Sequence, residues 1–157
     1  MKPPRRRIRL SYVNTNESVL AELLEDEASG VCEHVWDLLP VEAKVIHGMY
    51  SGAEVFLMLE DPRPAPRENL VQLPLPGELL YFFDESIGAA GGRKPVAEIV
   101  VVYGRGVVLR AHEGVPTHCQ LFARVPGDWK YDWQPFAQAC RRARWEGPQV
   151  LRIERAD

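Results

Sequence analysis

The sequence predicts a mainly β domain of seven or eight short strands and two helical regions, able to close on itself as a barrel. Three observations predict it. Apolar runs rich in β-branched and aromatic residues recur along the chain, the plainest being Glu98-Ile-Val-Val-Val-Tyr-Gly-Arg-Gly106 and His118-Cys-Gln-Leu-Phe-Ala-Arg-Val125. These runs stop at glycines or at Pro-Gly, as strands entering turns do. Helical periodicity is confined to two stretches, after Val19 and after Asp132. A chain of 157 residues is long enough to bury a core, and one domain over 1–157 is expected.

Taken in order, Arg7-Ile-Arg-Leu-Ser-Tyr-Val13 alternates, which puts Ile8, Leu10 and Tyr12 on one face of a half-buried strand. Asn14-Thr-Asn-Glu17 has the spacing of a helix start. From there Val19, Leu20, Leu23, Leu24, Ala28, Val31, Val35, Leu38 and Leu39 recur at three- and four-residue steps. They predict one amphipathic helix, or two joined at Ser29-Gly30, closed by Pro40. Ala43–Tyr50 and Ala53–Leu59, linked through Ser51-Gly52, read as a hairpin. Asp61–Arg67 is a proline-rich loop, Glu68–Leu73 a short strand, and Glu78–Phe83 a strand entered through Leu75-Pro-Gly77.

Ile87–Pro95 carries glycines and ends basic, but it lacks the spacing of a phosphate-binding loop and reads as a surface loop. Val107–Pro116 is a connecting loop bearing His112 and Glu113. A helix from a cap at Asp132 to Trp145 turns Phe136, Ala139, Cys140 and Ala143 inward. It sets Arg141, Arg142 and Arg144 near its C-terminus, where cations oppose the helix dipole. Gly147-Pro148 ends it, and Gln149–Glu154 supplies a closing strand.

Composition narrows the function. With 46% hydrophobic and 26% charged residues and a net charge of −3, no global basic field draws nucleic acid. The Lys2 and Arg5–Arg7 cluster reads as a solvated arm. No apolar run approaches the ~20 residues of a membrane span, and the basic N-terminus lacks the apolar segment of a signal peptide. The expectation is a cytoplasmic protein with neither nucleic acid nor membrane as partner. Cys32, Cys119 and Cys140 lack zinc-ligand spacing and read as free thiols. His34, His47, His112 and His118 form no tight metal motif, so neither a metal nor another cofactor is expected.

Among these residues, His47 stands on a strand beside Gly48 and can act as a pocket donor or acid/base. His118 and Cys119 are neighbours on a strand and point to opposite faces, which argues against a Cys–His nucleophile. Ser51 lacks the Gly-x-Ser-x-Gly elbow and reads as a turn serine. The two strand runs at 98–106 and 118–125 can bring Tyr103, His118, Gln120 and Phe122 to a shared mouth.

The series Leu23–Pro40, Ala43-Lys-Val-Ile-His47, Tyr50-Ser-Gly52, Glu68-Asn69, Pro76-Gly-Glu78, Tyr103-Gly104 and Gln120-Leu-Phe-Ala123 resembles a family of uncharacterised bacterial cyclophilin-like proteins, domain of unknown function 3830. The resemblance covers nearly the whole chain and implies a closed eight-stranded barrel with helices capping its ends. Cys119-Gln-Leu-Phe-Ala123 is similar to a pocket segment of the cyclophilin prolyl isomerases, which places Gln120 and Phe122 at pocket positions. The arginine that follows the strand histidine in those enzymes is absent, since Gly48 follows His47, and so is their Gln-Gly-Gly-Asp segment.

The expected function is therefore small-molecule binding at the barrel mouth, with any reaction unknown. Tyr50, Tyr103 and Phe122 would supply walls, while His47, Gln120 and Ser51 would fix polar groups. Two other classes stay open: a weak prolyl isomerase or peptide-binding chaperone, and a structural protein that forms a homo-oligomer.

Overall fold

In the computed structural model, residues 1–85, 94–111 and 114–156 are described; His112, Glu113 and most of the 87–95 loop named above lie outside them. Strand alternation decides the start of the chain. In β1 (Arg7–Tyr12), Ile8, Leu10 and Tyr12 are buried between more exposed neighbours. Asn16 then takes a φ of 70°, a left-handed conformation that asparagine tolerates in tight turns. The chain reverses into β2 (Ser18–Leu23), paired with β1 from Ser11↔Ser18 to Arg7↔Glu22.

This corrects the helix expected to begin near Val19. Val19, Ala21 and Leu23 alternate inward as a strand; Leu20 and Leu24 fit either period, and pairing with β1 decides between them. The helix itself, α1 (Ser29–Leu38), starts ten residues later and buries Val31, Cys32 and Val35.

Next come β3 (Val41–Lys44), β4 (Ile46–His47), β5 (Glu54–Met58), β6 (Leu70–Val71), β7 (Glu78–Asp84), β8 (Val96–Val102) and β9 (Cys119–Arg124). They are followed by α2 (Gln134–Glu146) and β10 (Val150–Ala156). Asp132 does not cap α2 as expected: its carboxylate accepts the Asp128 amide at 2.5 Å, and Trp133 stands at the helix start with no side-chain bond.

Among the described residues the strands form one ten-stranded antiparallel sheet, ordered β3-β10-β1-β2-β9-β7-β8-β5-β4, with β6 beside β9. Strand number exceeds the expected eight, and hydrogen bonds do not close the order into the expected barrel. Its two ends are nevertheless consecutive in the chain, separated by Val45 alone. The Val45 amide still bonds the Gln149 carbonyl at 2.8 Å, whereas Ile46 and His47 pair with Phe56 and Val55 of β5. The stretch 41–47 therefore leaves β10 and joins β5, so the ladder ends where the backbone runs on.

Both faces of the central strands are buried. Leu79, Tyr81, Ile99, Val101 and Phe122 meet Ile8, Leu10, Tyr12 and the apolar sides of both helices in one cluster. On the opposite face Leu80, Phe82, Val100, Val102 and Leu121 form a second cluster under Val107 and Leu109. Double burial explains why 78–83 and 98–102 read as unbroken apolar runs. No helix among the described residues is long and apolar enough to cross a membrane.

Candidate functional site

The second apolar layer holds a cavity of about 200 Å³. Strand register builds its floor. Glu54 lies opposite Val102, Phe56 opposite Val100 and Met58 opposite Glu98, so the alternation sends Glu54, Phe56, Val100 and Glu98 to one face. The segment after β8 forms the roof and is tied down at Ser51. The Ser51 carbonyl accepts the Val108 amide at 3.1 Å, and the Ser51 hydroxyl accepts the Arg110 amide at 2.9 Å. Phe56, Phe82, Val100 and Leu109 make the walls, and Gly48, Tyr50, Ser51, Arg110, Thr117 and Cys119 are among the other lining residues.

Glu54 and Glu98 are the chemically distinctive members. Glu54 is 6% exposed, and its Oε2 is buried with no hydrogen-bond partner. Burial, with the Glu98 charge added, pushes its carboxyl up to about 8. Burial alone pushes Glu98 up to about 7. Both carboxyls therefore exchange protons near neutrality, where a carboxyl in water is fully ionised. Cys119 shares the cavity, but burial and the two glutamates hold its thiol far above the ordinary range. It is not a thiolate nucleophile.

A wider groove of about 870 Å³ opens on the other face of β5, between the sheet and α2. His47 and Tyr103 stand in it, with Tyr103 Oη 2.6 Å from His47 Nε2. His47 Nδ1 lies 2.9 Å from the Gly48 carbonyl, which can only accept. The hydrogen therefore sits on Nδ1, and Nε2 accepts from the tyrosine. Burial lowers the affinity of His47 for a second proton, the Gly48 carbonyl opposes that, and the Arg144 charge adds to the lowering.

The structure thus divides the residues expected to share one pocket. Tyr50 and Ser51 line the cavity, while His47 and Tyr103 pair in the groove. Gln120 lies beneath the proline-rich loop, its amide donating to the Pro66 carbonyl at 3.4 Å. Phe122 is fully buried in the inner cluster. His118, placed by the sequence at the same mouth, is exposed. His34, on α1, lies 3.1 Å from the Tyr81 hydroxyl. Among the described residues no group of His, Cys, Asp or Glu is arranged to hold a metal ion. Sequence alone does not single out Glu54 and Glu98. Their signal was an acid at or near the start of a strand otherwise wholly apolar, Glu54-Val-Phe-Leu-Met58 and Glu98-Ile-Val-Val-Val102.

No curated protein matches the sequence. In three dimensions the chain is similar to McbB, from the structure of McbB in complex with tryptophan, at 17% identity and a TM-score of 0.64. The likeness covers 94% of this chain and 44% of that one, so the chain spans less than half the length of McbB. It is also similar to the hypothetical protein AF2241 from Archaeoglobus fulgidus, at 14% identity and a TM-score of 0.54, over 99% of this chain and 98% of that one. At these identities the likeness is one of fold, and the cyclophilin-like relationship remains a resemblance. The model of a family described as "Protein of unknown function (DUF3830)" matches residues 11–154, and the chain belongs to that family.

Proposed function

We propose that this chain, acting as a single domain, binds a small organic amine carrying one aromatic ring in the cavity over β5 and β8. The observation that carries the reading is Glu54 in the lining of an apolar cavity, its Oε2 buried and without a partner. A buried polar atom without a partner costs about 1–3 kcal/mol, and a ligand that donates to it recovers that cost. An ammonium does more than a neutral donor, because its charge favours the ionised forms of both Glu54 and Glu98. Phe56, Phe82 and Leu109 offer the ring an apolar seat. The fold likeness to McbB, whose structure is a complex with tryptophan, supports a small molecule on this fold. A closed, cyclophilin-like ring of strands belongs to the same reading, with residues 41–47 bridging the two ends of the order.

The test compares phenethylamine with 3-phenylpropionate, which share a ring and differ in the sign of their charge. The amine is expected to raise the melting temperature and to bind at least tenfold tighter than the acid, with Glu54→Gln abolishing the difference. Equal response to both, or an unchanged preference in Glu54→Gln, overturns the reading.

A further inference from the structure

We propose that the groove between α2 and the β4–β5 edge is a second binding site, for a phosphate-bearing aromatic ligand of the nucleotide class. It is separate from the cavity of Glu54, on the opposite face of the sheet.

Charge is the first argument. Arg105, Lys130, Arg141 and Arg144 line the groove, and no aspartate or glutamate does. The chain as a whole carries a net charge of −3, so this concentration is local. None of the four makes an ion pair among the described residues. Their neighbour Arg142 differs: it bonds Glu17 at 2.6 Å and approaches Glu146 at 3.9 Å, as a structural arginine does. Helical spacing explains the split: at about 3.6 residues per turn 134, 137, 138, 141, 144 and 145 fall in one arc of α2, which lines the groove, and 142 lies outside it. Arg141 and Arg144 are therefore available to a ligand. Their charges already reach the groove floor, both acting on Tyr103.

Aromatic surface is the second argument. Trp145 is 71% and Tyr131 84% exposed, and both line the groove with the half-buried Trp129. Cations adjoin two of these rings. Arg144 Cζ stands 5.2 Å from the Trp145 centroid, and Lys130 Nζ stands 5.3 Å from that of Trp129. A ring face beside a guanidinium is what recognises a planar base next to a phosphate. Guanidinium groups take phosphate oxygens in a bidentate fork, and several unpaired cations match a ligand with several negative charges better than a monocarboxylate. The small residues Gly52, Ala53, Gly104 and Ala137 leave depth. At about 870 Å³ the groove has room for a mononucleotide, which the smaller cavity lacks.

The experiment titrates the full chain with ATP, adenosine, tripolyphosphate and a short thymidine oligonucleotide, followed by tryptophan fluorescence. Trp145→Phe identifies the reporting ring. ATP is expected to give a saturable change, with adenosine and tripolyphosphate each at least tenfold weaker, because each lacks half of the recognised chemistry. The double variant Arg141→Ala/Arg144→Ala should weaken ATP at least tenfold with unaltered circular dichroism. Should that variant lose its fold, Arg105→Ala alone should weaken ATP about threefold, which serves as the same test. Trp145→Ala should weaken ATP while leaving tripolyphosphate unchanged. An oligonucleotide that binds tighter than ATP and responds to the same arginines assigns the ligand to a single strand; weaker binding assigns it to a free nucleotide. No saturable binding of any probe at millimolar concentration, or ATP affinity indifferent to the arginine variants, overturns the proposal.

Discussion

The carboxyl of Glu54 occupies the space that a side chain at Gly48 would need. A Cβ built on Gly48 would stand 2.8 Å from Glu54 Cδ and closer still to Oε1, well inside van der Waals contact. The backbone of Gly48 is not left-handed, so alanine is excluded by the carboxyl and not by conformation. The Gly48 amide also donates to the Glu54 carbonyl at 2.9 Å, which fixes the two residues face to face. Gly48→Ala is expected to cost about 1–3 kcal/mol through overpacking. Glu54→Ala in the same background should recover at least half of that loss, because the group it collides with is gone. Chemical denaturation of the two single variants and the double variant measures the coupling directly.

Stability should fall as pH rises across the neutral range, and Glu54 should be the main reason. Its carboxyl is pushed from the ordinary 4.5 up to about 8, so between those values the folded chain holds a proton that the unfolded chain has released. The unfolded state is then favoured progressively, until the folded carboxyl also ionises. Glu54→Gln should match the parent near pH 5 and exceed it at pH 8 by on the order of 3–5 kcal/mol, at about 1.4 kcal/mol per tenfold difference in ionisation. Urea unfolding at pH 5, 6.5 and 8 gives the comparison. A parallel loss in both proteins would place the buried charge elsewhere.

The three thiols should be silent in the native state. Cys32, Cys119 and Cys140 are free and buried, and burial pushes Cys32 and Cys140 up to about 12. Cys32 donates to the Phe122 carbonyl at 3.3 Å, and Cys140 takes the Tyr12 hydroxyl at 3.2 Å. A thiol reagent at pH 8 is expected to label no cysteine before unfolding and all three in denaturant. Fast native labelling of Cys119 would mean that the cavity roof opens far more readily than its ties to Ser51 imply.

Much of this fold was legible because burial on both faces leaves a plain signature: β7, β8 and β9 stand where the apolar runs stand. The beginning of the chain was not legible in the same way. Val19, Leu20, Leu23 and Leu24 satisfy a helical period, and only the turn at Asn16 and the pairing with β1 turn them into a strand. The partner switch at Val45 depends on the Gln149 carbonyl, a hundred residues away in sequence, and no local pattern announces it. The site shows the same division. His47 and Tyr103 were both named from sequence, yet that they bond each other is a fact of tertiary structure. An acid at a strand end, as at Glu54, is ordinary in sequence, and its burial comes from the segment folded over it.

The bond between His47 and Tyr103 sets a last expectation. Because Nδ1 carries the hydrogen toward Gly48, the Tyr103 hydroxyl donates to Nε2 and stabilises neutral His47. Burial and then Arg144 lower its proton affinity, against the Gly48 carbonyl. The folded chain therefore takes up this proton at a lower pH than the unfolded chain, which titrates near 6.5. Stability from this residue is complete above pH 6.5 and is lost on acidification below it. Tyr103→Phe removes a partner of the neutral form, and Arg144→Ala removes a repelling charge, so both should move His47 titration upward, toward the ordinary value. Tyr103→Phe should also cost about 0.5–1.5 kcal/mol of stability, whereas Arg144→Ala, which alters an exposed side chain, should cost little. Nuclear magnetic resonance titration of the His47 ring reads both effects. A ring that titrates identically in all three proteins would show that neither group governs it.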